Sequence, residues 1–156
     1  MSEPFEREGG CLCGRVRYHL SQPPVASVHC HCSLCRKAGG TAFASISVVR
    51  KKYVQVLAGQ EEVRTYRSSP GFERTFCGQC GSTLWVFEDW NPKGLSMPMG
   101  GFYENPGQRP GSHIFVGSKA PWHEIHDQLE QHPAWPAGLG PAVHPQQAET
   151  PDATDG

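Results

Sequence analysis

The sequence predicts a mainly β fold of small antiparallel sheets with few, short helical turns, and three observations carry that class. Apolar residues alternate along most of the chain: in "RVRYHL", Val16, Tyr18 and Leu20 share one face. Turn formers are abundant, with 18 glycines and 14 prolines in 156 residues. No long helical stretch is available for parallel crossovers, so neighbouring strands are expected to run antiparallel.

In chain order the strand candidates are "RVRYHL", "TAFASISVV", "YVQVL", "EVRTYR", "ERTFC", "STLWVF", "SMPMGGFY" and "SHIFVG". Gly, Pro, Asn or Ser separates each from the next, giving about eight or nine short strands. Two stretches have helical character, one near "SLCRKAG" and one near "WHEIHDQLEQ". A domain covering 1–133 is expected. From 134 to 156 the sequence "AWPAGLGPAVHPQQAETPDATDG" reads as a flexible tail, with too little apolar surface to offset the entropy of ordering.

Composition narrows the function classes. A hydrophobic fraction of 37% is that of a globular domain, and a chain of this length buries a core without needing metal to do so. A formal net charge of -1 argues against a phosphate-binding surface, and metal-bound thiolates would make the sites more anionic still, so no nucleic-acid partner is expected. The polar start "MSEPFEREGG" lacks the basic-then-apolar pattern of a secretory signal, and no run reaches spanning length. A cytoplasmic protein without a membrane partner is therefore expected, with its thiols reduced. A disulfide framework would require a secreted protein and would leave one of seven cysteines unpaired.

Those seven cysteines are grouped. "FCGQCG" sets Cys77 and Cys80 on either side of a tight turn, and "GGCLCG" sets Cys11 and Cys13 at i, i+2, on one face if that segment is extended. Two pairs make a four-sulfur tetrahedral zinc site, closed and structural because no position stays open. In "VHCHCSLCRKAGG", Cys30, Cys32 and Cys35 can occupy three vertices of another tetrahedron, leaving one vertex exchangeable, as in catalytic zinc. Such a centre suits a soft fourth ligand, for instance a substrate thiol held as thiolate. Two other readings stay open: His29 or His31 closes the triplet, or the sulfurs are shared differently, with Cys77 and Cys80 pairing to part of it.

Arg36 and Lys37 follow the triplet and are candidates for the carboxylates of a peptide thiol. Arg74, in the strand leading to Cys77, reads equally as structural or ligand-binding, whereas His113 and His123 read as ordinary fold or surface histidines. Trp85, Trp90, Phe102, Phe115 and Trp122 read as core aromatics that could line a groove beside the second metal.

The segments "GGCLCGRVRY", "HCHCSLCRKAGG" and "RTFCGQCGSTL", continued by "SHIFVGSKAPW", resemble the glutathione-dependent formaldehyde-activating family. The resemblance extends to about residue 133 and places all seven cysteines at motif positions. It implies an Mss4-like β-tent, in which two small sheets meet at an angle. It also implies one zinc on Cys11, Cys13, Cys77 and Cys80, and a second, more labile zinc on Cys30, Cys32 and Cys35. The activity it implies is carbon–sulfur lyase chemistry, joining glutathione and formaldehyde into S-hydroxymethylglutathione and reversing that step, with a small-molecule thiol as partner. The alternative is a non-catalytic, zinc-stabilised binding or chaperone-like module of the same fold, which would have no use for an open three-sulfur site.

Overall fold

The computed structural model describes residues 2–141. Its strands are β1 (Arg7–Gly10), β2 (Arg17–Leu20), β3 (Ala26–Cys30), β4 (Ala44–Arg50), β5 (Val54–Ala58) and β6 (Val63–Ser69). They continue as β7 (Phe72–Cys77), β8 (Thr83–Glu88), β9 (Gly94–Pro98), β10 (Ser112–Ile114) and β11 (Glu130–Gln131). The single α-helix among the described residues, α1, is Ser33–Gly39. One sheet has the order β1-β2-β5, and the other β11-β10-β3-β4-β9-β8-β7-β6. The mainly β class holds. The pairings are antiparallel except those of β10, which runs parallel to both β3 and β11.

Two differences from the sequence reading have local causes. The stretch near "WHEIHDQLEQ" forms no helix. Asp127 accepts a hydrogen bond from the Leu129 amide at 3.0 Å and also partners His113, and such side-chain bonds compete with a helical ladder. "SHIFVG" stops as a strand at Ile114 because Phe115 takes a left-handed φ of 58°, the one non-glycine positive φ among the described residues. A bulky side chain there costs about 1–3 kcal/mol, which its surroundings must offset.

The core between the sheets comes from alternation. Tyr18, Val16 and Leu20 of the small sheet's side meet Val49, Leu95, Met97 and Trp85 of the large one. Tyr18 lies edge-on to Trp85 and Phe102, with ring centroids 6.1 and 5.6 Å away. Gly9 permits that approach, since a Cβ there would stand 2.6 Å from the Tyr18 ring. Because side chains alternate across a strand, the partners of these core residues project from the opposite face of the large sheet. There a second cluster gathers Cys30, Cys32, Cys35, Ile114 and Phe115, with Ala134 and Trp135 packed on it. Contacts of the domain therefore run past the boundary expected at 133. The rest of the expected tail, from 142 on, lies outside the described residues.

Candidate functional site

Cys11, Cys13, Cys77 and Cys80 come together, their sulfurs all within 4.8 Å of one another. The first pair sits in a turn after β1, closed by the Gly14 amide on the Cys11 carbonyl at 3.1 Å, rather than in the extended segment expected from its spacing. The second pair brackets the turn after β7, where the Gly81 amide reaches the Cys77 carbonyl at 2.8 Å with Gly81 at φ 77°. The donor set fits zinc. A Zn–S bond of about 2.3 Å gives tetrahedral S···S edges of about 3.8 Å. The observed separations are 3.4 Å for Cys11–Cys13 and 3.8 Å for Cys13–Cys77. The Val16 amide donates to Cys11 Sγ at 3.2 Å, and the Ser82 hydroxyl, followed by its backbone, pulls the Cys80 thiol down to a pKa of about 5. The thiolate is favoured at Cys80 before any cation arrives, whereas the Cys13 thiol is pushed up to about 11.

Cys30, Cys32 and Cys35 form the second group, again with sulfurs within 4.8 Å. Cys30 ends β3. Cys32 is the N-cap of α1, its sulfur accepting from the Cys35 amide at 3.3 Å. The helix stops about two turns later because Gly40, at φ 64°, turns left-handed and donates to the Arg36 carbonyl. Hydrogen bonds from Cys30 and then Cys32 hold the Cys35 thiol well below its usual range, helped by Arg74, whose Nη2 lies 3.9 Å from Cys35 Sγ. Arg74 is aimed by a bulge: the β7–β8 register shifts between Arg74 and Phe76, where the Thr75 hydroxyl accepts from the Trp85 amide and donates to the Trp85 carbonyl.

The histidines turn elsewhere. His29 Nδ1 meets the Ser45 hydroxyl at 2.9 Å, and His31 Nε2 meets His113 Nδ1 at 2.8 Å. His113 Nε2 in turn meets Asp127 at 2.9 Å. Burial, with the neighbouring His113 and His123, lowers His31 to a pKa of about 4. The donor group within 4.8 Å consists of the three sulfurs alone, so neither imidazole closes the triplet in this arrangement. Nor does the Cys77–Cys80 pair share it.

The triplet opens onto a cavity of about 500 Å³ whose walls are mostly apolar, among them Phe72, Val86, Phe115 and Trp135. Trp90 and Phe115 line it, whereas Trp85 and Phe102 belong to the core and Trp122 is exposed. Arg36 and Lys37 lie on α1 and line no part of it; Arg74 is its cation. Sequence reasoning missed Glu88, which also lines it. Burial raises the Glu88 carboxyl, and the Ser96 hydroxyl donates to Glu88 Oε1 at 2.7 Å. A signal was available: an acid at 88 occupies the parity of the apolar Leu84 and Val86 in "TLWVFE".

Among known families, the model described as glutathione-dependent formaldehyde-activating enzyme matches residues 6–118. A Halomonas elongata protein whose name carries that same description is 35% identical over 127 residues, 76% of this chain and 80% of the relative. A Schizosaccharomyces pombe protein named an uncharacterized lyase is 35% identical over 82 residues, 51% of this chain and 56% of its own. The crystal structure of a Rhodobacter sphaeroides protein shares the fold at a TM-score of 0.53 and 24% identity, covering 66% of this chain and 91% of that one.

Proposed function

The chain belongs to the glutathione-dependent formaldehyde-activating family, and on that footing we propose that it is a zinc-dependent carbon–sulfur lyase. It joins a glutathione-type thiol to an aldehyde, giving S-hydroxymethylglutathione where the aldehyde is formaldehyde, and runs the reverse reaction. The observation that carries this is the three-sulfur group, with no fourth His, Cys, Asp or Glu donor beside it among the described residues, opening onto a cavity.

Cys11, Cys13, Cys77 and Cys80 hold a structural zinc, and Cys30, Cys32 and Cys35 a second, more labile one. When bound at the triplet, zinc supplies a fourth position for a substrate thiol and keeps that thiol deprotonated near neutral pH. The chain does the rest. Arg36, whose buried Nε has no hydrogen-bond partner among the described residues, and Lys37 take the carboxylates of the peptide thiol on the outer side of α1. Arg74 offsets negative charge at Cys35. Glu88 gives a proton to the adduct oxygen on addition and takes it back on cleavage. The apolar walls keep water from the reacting carbon. We place the protein in the cytoplasm, where reduced thiols persist.

Metal analysis and glutathione titration of the full chain test this. Two zinc ions per chain are expected for the wild type and one for Cys32→Ser or Cys35→Ser, the variants remaining folded but no longer binding glutathione through sulfur. Equal glutathione binding with and without the second zinc would defeat the reading.

A further inference from the structure

The wall beside the triplet is one face of the large sheet. Register pairs Ala26 with Val48 and Val28 with Ile46 across β3 and β4, then Val48 with Ser96, Ser96 with Val86 and Val86 with Arg74. Period-two alternation sends all of these to the same side, so the floor of the cavity continues without a break from the end of β3 that carries Cys30. Phe115 and Trp135 close the far side, their rings edge-on at 5.4 Å, and Trp90 meets Trp135 at 5.3 Å. The strained backbone at Phe115 is retained where its ring forms this wall.

Neither named substrate of the family suits such a space. A cavity of about 150 Å³ accommodates benzene, and one water's share of liquid volume is about 30 Å³. Formaldehyde, little larger than water, would leave most of 500 Å³ empty. Glutathione is large enough, but it carries two carboxylates and an ammonium group. Against these the cavity offers two charged side chains, Arg74, already engaged by Ser68 at 3.1 Å and Cys35, and Glu88, with Asn91 and the Glu88-bound Ser96 as its neutral polar groups. Burying an unpaired carboxylate among these walls is prohibitive.

We propose that the carbonyl substrate is an aldehyde with an apolar substituent of about six to ten carbons, whose hydrocarbon part fills this cavity beside the thiol triplet. The inference rests on the lyase reading. The thiolate sulfur bonds the carbonyl carbon, the C=O π pair moves to oxygen, and that oxygen takes up one proton, giving the hemithioacetal. In reverse the C–S bond breaks and aldehyde and thiol are released, with no change of oxidation state. The charged peptide of the thiol stays outside the apolar space, on the side of Arg36 and Lys37.

The test uses the full chain loaded with zinc, glutathione, and formaldehyde, propanal, pentanal and octanal in turn. The three longer aldehydes have similar intrinsic reactivity, so acceleration over the uncatalysed reaction isolates the contribution of the chain. Each buried methylene is worth about fourfold, so kcat/KM should rise roughly tenfold or more at each step from propanal to octanal. A second readout needs no turnover. 1-Octanol should change the tryptophan fluorescence saturably, through Trp90 and Trp135. Ala26→Phe at the exposed edge of the cavity, and Val48→Phe deeper in, should each flatten the series and weaken octanol binding about tenfold. Ala26→Phe keeps the test alive if the deeper variant misfolds. Acceleration of formaldehyde with a flat series, or no octanol binding, would overturn this inference and leave the lyase reading standing. No acceleration of any aldehyde, formaldehyde included, would overturn both.

Discussion

Glu88 is a half-buried acid on a mostly apolar wall, hydrogen-bonded by Ser96, and its behaviour is separable from that of the cysteines. Its carboxyl is raised by burial above the ordinary 4.5, so the folded state binds its proton more tightly than the unfolded chain does. Stability from that proton is fully present below 4.5 and is lost as pH rises through the raised value. Glu88→Gln should remove this loss. Thermal melts across a pH series should find the variant gaining on the wild type as pH increases, and its turnover should fall by about 10²-fold with zinc content unchanged. Arg36→Ala should weaken glutathione binding about tenfold at constant zinc, read by calorimetric titration. The cysteines were legible in the sequence because each motif spans only a few positions. Glu88 and Arg74 were harder to see, since their surroundings arise from strands paired across the sheet and from a bulge at Thr75 that local spacing does not announce.

At the scale of elements, α1 is the piece least able to stand alone. Seven residues fall short of the length at which a helix persists in water, and α1 buries only Cys35. Its order therefore depends on what holds Cys32 and Cys35. Chelation of the second zinc should speed amide hydrogen exchange across α1 while β7 and β8 stay protected, a contrast that exchange mass spectrometry resolves. The segment after β11 contributes as well: the Phe115 amide donates to the Ala134 carbonyl at 3.2 Å, and Trp135 covers the second cluster. Trp135→Ala should lower stability by about 2–3 kcal/mol in urea melts. Alternation made the strands readable, and "SLCRKAG" was read as helical, its end set in the structure by Gly40 just beyond it. The two-residue β11 and the parallel placement of β10 left no periodic trace, because both depend on a neighbour far along the chain.

For the whole molecule, the two cysteine groups divide the work. The four-sulfur group joins the turn after β1 to the turn after β7, so, with the structural zinc proposed above, Cys11→Ser or Cys77→Ser should abolish cooperative unfolding or leave the protein insoluble, because metal binding would there be coupled to folding. Graded chelation should remove the three-ligand zinc first, with the thermal midpoint nearly unchanged until the four-sulfur ion leaves. The separation of the groups along the chain also sets a timetable. Cys30, Cys32 and Cys35 leave the ribosome together, whereas Cys11 and Cys13 wait for Cys77, 42 residues after Cys35. At about 5–20 residues per second that interval is roughly 2–8 s. During it, on the zinc assignment proposed above, five thiols are exposed and the order of synthesis favours the local trio over the pair, so zinc supply in those seconds would govern how much nascent protein reaches its proper partition of sulfur.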